Sequence, residues 1–289
     1  MKLGIHALVF VTDWTESSIT STTEKAAAAG YDLLEVVVFD PSEARPDVTR
    51  AALERNGLSG IGGMALNPEA DISSPDPEIA RAGETLIRDA MSAMRDMGIE
   101  ALGGVTHSAM HRYPTAADPD ALSRVVDSYA RLADHARTTG VRLGIEAVNR
   151  YESNLINTID QAASIVRQIG SDVLFAHADT YHMNIEELSV VDALTRNMDV
   201  LGHVHIGESN RGYLGAGSVN FAEVFATLQR QDYSGPVVFE AFSPAILDQN
   251  LSNVLACWRD HWSDSEDLSR HAHDFMQAQM KSASQSMRT

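Results

Sequence analysis

Residues 142–179 read RLGIEAVNRYESNLINTIDQAASIVRQIGSDVLFAHAD. Apolar runs stand at both ends, over 142–147 and 173–178. Between them, 158–169 repeats apolar residues at the spacing of one helix face and stops at Gly170, where a left-handed residue suits a helix end. Strand, helix, strand is the unit that builds a parallel sheet, because the chain needs a long crossover before it can run the same way again. The unit recurs outward in both directions. Strand candidates lie upstream at 3–9, 33–39, 57–64 and 101–106, and downstream at 200–206 and 237–241. Helix candidates lie at 18–29, 77–97, 118–139, 185–196, 221–231 and 247–262. Gly30, Gly98 and Gly140 follow helical stretches, Pro77 and Pro119 stand near helix starts, and Met91, Met94 and Met97 share a helix face that belongs to the core. Eight strands alternating with helices predict a (β/α)8 TIM barrel. A doubly wound open sheet would carry a glycine fingerprint after its first strand, and Ile5-His6-Ala7-Leu8-Val9 carries none.

The chain has 289 residues, 44% of them hydrophobic and 21% charged, which suits one large core. No linker or low-complexity tract interrupts it, so residues 1–289 are read as one barrel domain, with a polar tail over 281–289 expected to fray. The formal net charge is −18, which repels phosphate backbones and anionic membranes and argues against both as partners. A single cysteine, Cys257, makes no internal disulfide. No stretch reaches the roughly 20 apolar residues of a membrane span, and the first strand lacks the pattern of a signal peptide, so a cytoplasmic location is expected.

Active sites of such barrels lie at the C-terminal ends of the strands. The fifth strand ends in Glu146, the sixth in Asp179, the seventh delivers His205 and the eighth Glu240. Three carboxylates and one imidazole at four successive strand ends suit Mn²⁺, Mg²⁺ or Co²⁺ better than a thiolate-seeking ion. A lone acid at a strand end is commonly a solvated loop residue; four in succession are hard to explain that way. His203 shares the parity of His205, which is preferred as ligand because it lies nearer the strand end. Glu152, His182 and Arg211 follow on the loops above the mouth, where they serve either to bind hydroxyls or to form loop ion pairs. His6 faces either the mouth or the core. His107 lines a mouth wall or sits in a wet loop, and Trp14 stacks on a sugar or packs on its own helix.

These stretches resemble the ketose 3-epimerases, the group containing D-tagatose, D-psicose (allulose) and L-ribulose 3-epimerases within the xylose-isomerase-like barrels. The matching blocks are Glu146-Ala147-Val148-Asn149-Arg150-Tyr151-Glu152, Asp179-Thr180-Tyr181-His182-Met183-Asn184-Ile185-Glu186-Glu187, His205-Ile206-Gly207-Glu208-Ser209-Asn210-Arg211 and Phe239-Glu240. The resemblance spans essentially the whole chain. It implies that Glu146, Asp179, His205 and Glu240 bind one divalent metal, commonly Mn²⁺, and that Glu146 and Glu240 are also the acid/base pair. It implies that Glu152, His182 and Arg211 hold the oxygens at the reacting end of a monosaccharide. It further implies a homodimer or homotetramer. Members differ at the positions of His6, Trp14 and His107, which bear on the preferred sugar.

Inverting C3 of a ketose requires a proton to leave one face and return on the other, with the cis-enediolate charge stabilised by a Lewis acid. Two carboxylates flanking a metal meet that demand. An aldose–ketose or hydroxypyruvate/erythrulose-type isomerase of the same fold moves its proton between adjacent carbons, and one base suffices. A zinc phosphodiesterase would need more histidine ligands and a basic groove. A sugar-binding barrel would need no acid/base pair. No glycine-rich phosphate cradle is present, so a free sugar is expected.

Overall fold

Strands β1 (Lys2–His6), β2 (Leu33–Val37), β3 (Ser59–Leu66), β4 (Ala101–Ala109), β5 (Arg142–Glu146), β6 (Leu174–Asp179), β7 (Leu201–Ile206) and β8 (Pro236–Phe239) each pair in parallel with the next, and β8 closes on β1. This is the closed barrel that the alternation predicts. The computed structural model describes residues 1–286. Around the barrel lie α1 (Glu16–Ala28), α2 (Pro46–Arg55), α3 (Pro77–Met97), α4 (Ala121–Thr139), α5 (Ile159–Ile169), α6 (Thr180–Glu186), α7 (Val190–Asn197), α8 (Phe221–Arg230), α9 (Gln249–Val254) and α10 (Ser265–Ser286). Among the described residues, no helix is long and apolar enough to cross a membrane.

Local chemistry sets the helix limits. The Asp76 carboxylate accepts the Glu78 N–H at the start of α3, Pro77 occupies the first turn, and Gly98 ends the helix at φ 77°. A side-chain cap of this kind is worth about 0.5–2 kcal/mol. The buried face of α3 carries Ile87, Ala90, Met91, Met94 and Met97, so the three methionines are core as expected. Thr158 and Gln161 cap α5 reciprocally.

Several elements depart from the sequence reading. The first strand stops at His6, whose Nδ1 accepts the Leu8 N–H and turns residues Ala7–Val9 into a 3-10 helix. The helix expected over 185–196 is two helices. Glu187 is extended and Ser189 caps α7, which separates it from α6. Helix α2 escaped the reading because its buried face is only Thr49, Ala52 and Leu53. Helix α10 packs Leu268, Ala272, Met276 and Ala283 inward, and it runs on to Ser286. The tail expected to fray from 281 is therefore helical through 286, because Ala283 is buried against the barrel; residues 287–289 lie outside the described residues.

Parallel strands all end at one mouth, so alternate residues stack in layers along the barrel interior. Near the floor, the Arg142 guanidinium lies 4.8 Å over the Phe175 ring. That ring fits because Gly144 and Gly202 carry no side chain: a Cβ there would sit 2.4 and 2.5 Å from it. His177 and His203 form the fully buried layer above. Glu146, Asp179, His205 and Glu240 close the stack at the mouth.

Candidate active site

Glu146 and Asp179 are the last residues of β5 and β6, His205 is the last but one of β7, and Glu240 follows β8 directly. All four are buried. His205 Nδ1 lies 3.5 Å from Glu146 Oε1 and 3.5 Å from Glu240 Oε1. It has no hydrogen-bond partner. Donor atoms of Glu146, Asp179 and His205 all fall within 4.8 Å of one another. Glu240 borders that trio, with Oε2 held 2.6 Å from Arg211 Nη1.

The electrostatics call for a cation. Buried carboxylates repel one another and lose hydration, which is costly unless positive charge is supplied. Burial pushes the Glu146 carboxyl well above the usual carboxylate range, with Glu240 and Asp179 adding to the effect against His205. Burial would raise Glu240 too, but Arg211, then His205 and His6, outweigh it and hold this carboxyl low. Burial opposes protonation of His205, yet Glu35 and Glu240 hold its pKa well above the ordinary histidine value. An unpartnered imidazole nitrogen facing two carboxylate oxygens fits a hard divalent ion held by oxygen and nitrogen donors.

Three further groups converge on the same place. His182 Nδ1 accepts from the Asn149 backbone N–H at 3.1 Å and lies 2.8 Å from the Asn149 side-chain nitrogen. Its Nε2 therefore faces the acids, 3.5 Å from Asp179 and 3.9 Å from Glu152. Burial lowers the His182 pKa to about 3, so the ring is neutral. Burial raises Glu152 to about 7, against Arg211 and a hydrogen bond from Asn149. Arg211 bridges Asp179 Oδ2 at 2.9 Å and Glu240, and its guanidinium lies 3.8 Å over the Tyr181 ring. Gly207 makes room for it: a Cβ there would sit 2.7 Å from Arg211 Nη1.

A cavity opens over these groups, lined by His6, Glu35, Glu146, Glu152, His182, His205, Arg211 and Glu240. Leu8, Val37, Phe39, Met110, Phe242, Leu251 and Leu255 form its apolar wall. His6 belongs to it, with Nε2 3.5 Å from Glu240 Oε1. Two expected mouth residues do not. His107 lies inside β4, which runs on to Ala109, and is fully buried; burial pushes its pKa to about 3. Trp14 donates its Nε1–H to Thr49 on α2 at 2.9 Å and lines a separate cleft beside β2.

Residues 23–279 match the family described as xylose isomerase-like TIM barrel. The L-ribulose 3-epimerase of Methylomonas sp. (strain DH-1) is 39% identical over 276 residues, covering 96% of each chain. The ketose 3-epimerase of Arthrobacter globiformis is 38% identical, again over 96% of each. Among solved structures, the D-allulose 3-epimerase of Methylomonas sp. in complex with D-allulose superposes with a TM-score of 0.94 at 39% identity, covering 96% of this chain and 97% of that one. The chain belongs to the ketose 3-epimerases.

For a ketose 3-epimerase, several of the matching residues prove to be scaffold. Arg150 forms a two-pronged ion pair with Glu186, and Glu187 accepts the Ile159 N–H at the start of α5. Glu208 is fully buried and accepts backbone N–H groups of Ser209, Gly215 and Val219, which shapes the loop that carries Arg211. The sequence reading assigned Asn149 and Glu35 no role in the site. Asn149 orients both Glu152 and His182. Glu35 is a buried acid within β2, 2.7 Å from His205 Nε2. An acid inside the apolar run 33–38 was the signal available for it.

Proposed function

We propose that this epimerase is metal-dependent and inverts C3 of a free ketose, drawn from D-allulose/D-fructose, D-tagatose/D-sorbose or L-ribulose/L-xylulose. The observation that carries the proposal is the convergence of Glu146 and Glu240, from β5 and β8, on the free Nδ1 of His205 at 3.5 Å each. Glu146, Asp179, His205 and Glu240 would hold the ion, with Mn²⁺ the best match and Mg²⁺ or Co²⁺ as substitutes. When bound, such an ion supplies Lewis-acid stabilisation of negative charge on the sugar oxygens next to C3.

The chain's own residues account for the proton movements. One of the two carboxylates takes the C3 proton from one face of the sugar, and the other, carrying a proton, returns it to the opposite face. The reverse reaction exchanges their roles. Arg211 holds one oxygen of Glu240 and leaves Oε1 beside His6 and His205. The neutral His182 offers its Nε2–H to a sugar oxygen, and Arg211 adds fixed positive charge beside it, so both donors are aimed before substrate arrives. Glu152 accepts from a hydroxyl. Among the residues lining the cavity, Arg211 is the only arginine or lysine, and it is already engaged by two carboxylates, which favours a free sugar over a sugar phosphate. The names of the relatives and the D-allulose complex of one of them support the same substrate class. A homodimer or homotetramer in the cytoplasm completes the reading.

The test is proton exchange in D₂O. Metal-stripped protein, then protein with Mn²⁺, is incubated with D-fructose, D-tagatose and L-ribulose and followed by NMR. Deuterium at C3 and appearance of the 3-epimer, with Mn²⁺ only, is the expected result. Deuterium at C1 with an aldose product would instead make the protein an isomerase.

A further inference from the structure

The layer beneath the mouth contains a buried acid that the proton chemistry above does not use. Glu35, in the middle of β2, is 1% exposed. No lysine or arginine reaches it among the described ion pairs; its Oε2 lies 2.7 Å from His205 Nε2 and 3.1 Å from His203 Nε2. Its other oxygen passes over Gly63, where a Cβ would sit 2.6 Å away. An acid this deep costs free energy unless the groups around it make use of it. Among the described residues its ion pairs are with two imidazoles, and one of them carries the nitrogen at the centre of the site.

From this geometry we infer that Glu35 is the positioning residue for the metal, acting through His205. This rests on the metal-dependent reading above and deepens it. A carboxylate only accepts hydrogen bonds, so the hydrogen bond at 2.7 Å places a proton on His205 Nε2. When the ring gives up its other proton to a bound ion, the lone pair is then on Nδ1, the atom that faces Glu146 and Glu240 and has no partner of its own. The same bond fixes the plane of the ring. His203 and His177 brace it from the sides: their ring centroids lie 4.7 and 4.2 Å from that of His205, both nearly edge to face. The Nε2 atoms of His203 and His205 both point at Glu35 Oε2, at 3.1 and 2.7 Å. The layer is therefore a packed support for one ligand, and Glu35 sets which nitrogen that ligand presents.

The experiment compares full-length wild type with Glu35→Gln, which keeps the size of the side chain but removes its charge and one acceptor. Each protein is stripped of metal and titrated with Mn²⁺ by calorimetry. Thermal unfolding of the stripped protein and kcat and KM at saturating Mn²⁺ are measured beside it. The expected result is a Mn²⁺ Kd weakened about 10–100-fold, a stripped-protein Tm within a few degrees of wild type, and a sugar KM at saturating Mn²⁺ that changes far less than the Mn²⁺ Kd. Gly63→Ala supplies a second route, since its new methyl group displaces the Glu35 carboxylate while leaving the residue in place; it should weaken Mn²⁺ in the same direction. If E35Q binds Mn²⁺ as tightly as wild type while its stripped form melts much lower, Glu35 is only core structure and the inference fails. If E35Q does not fold, an unchanged Mn²⁺ Kd in Gly63→Ala overturns it equally. A wild type that binds no Mn²⁺ would sink the metal reading itself, an outcome visible before any variant is compared.

Discussion

Glu146 and Glu240 are chemically the same residue in different surroundings. Glu240 has Arg211 at 2.6 Å and His6 at 3.5 Å, whereas Glu146 has only histidines and other acids near it. Each proton transfer contributes about 10²–10⁴-fold to a rate. Glu146→Gln and Glu240→Gln should each therefore lower kcat by at least about 100-fold while the sugar still binds, as equilibrium dialysis would report. Turnover that survives both changes would remove them from the chemistry. Glu152 gives a prediction in pH. Burial raises its folded pKa to about 7, above the ordinary glutamate value, so the folded state keeps this proton where the unfolded state has lost it. Stability from this group is present below the unfolded pKa, near 4.3, and is lost as pH rises through about 7. Chemical denaturation of metal-stripped protein at pH 5 and pH 8 should show wild type losing on the order of 3 kcal/mol more than Glu152→Gln across that range.

At the scale of elements, the loop from β7 to α8 is the part most dependent on one side chain. Arg211 sits in it at φ 56°, a left-handed conformation that is uncommon for a residue other than glycine. Such backbone persists only where surroundings enforce it. The enforcement is visible: Glu208 gathers three backbone N–H groups from 209, 215 and 219, and the Arg211 carbonyl accepts the Trp262 indole N–H at 3.1 Å. Glu208→Gln puts an N–H donor against one of those donors. It should cost about 1–3 kcal/mol, lower Tm by several degrees, and raise the sugar KM because Arg211 loses its fixed place. A variant with wild-type Tm and KM would show that the loop holds its shape without this acid.

Over the whole molecule, the barrel gathers charges that would be costly together without a cation. Glu146, Asp179 and Glu240 are all buried at one mouth, with Arg211 and His205 as the opposing charges. A divalent ion bound to the folded state alone stabilises it by mass action, about 2.7 kcal/mol at one hundred times Kd. Calorimetric scans should therefore show Tm rising with Mn²⁺ concentration and falling on addition of EDTA, with epimerisation lost in parallel. A Tm indifferent to both would mean that the carboxylates are neutralised in another way.

The eight strands, most of the helices between them, the barrel and the strand-end residues were legible in the chain because each has a local cause; α2, the break between α6 and α7, and α10 were not. Apolar runs at the right period set the elements, and parallel strands bring all their ends to one mouth, so a polar residue after an apolar run is already placed. Glu146, Asp179, His205 and Glu240 could be named on that basis. What needed the tertiary structure is whatever depends on a partner far along the chain. Trp14 bonds to Thr49 on a helix with too few apolar residues to read. His107 is shut inside a strand longer than its apolar run suggested. Glu35 meets His205 across 170 residues, and no local pattern encodes a contact at that separation. Sequence periodicity specifies which way a side chain points along its own element; only the closed barrel decides what it meets there.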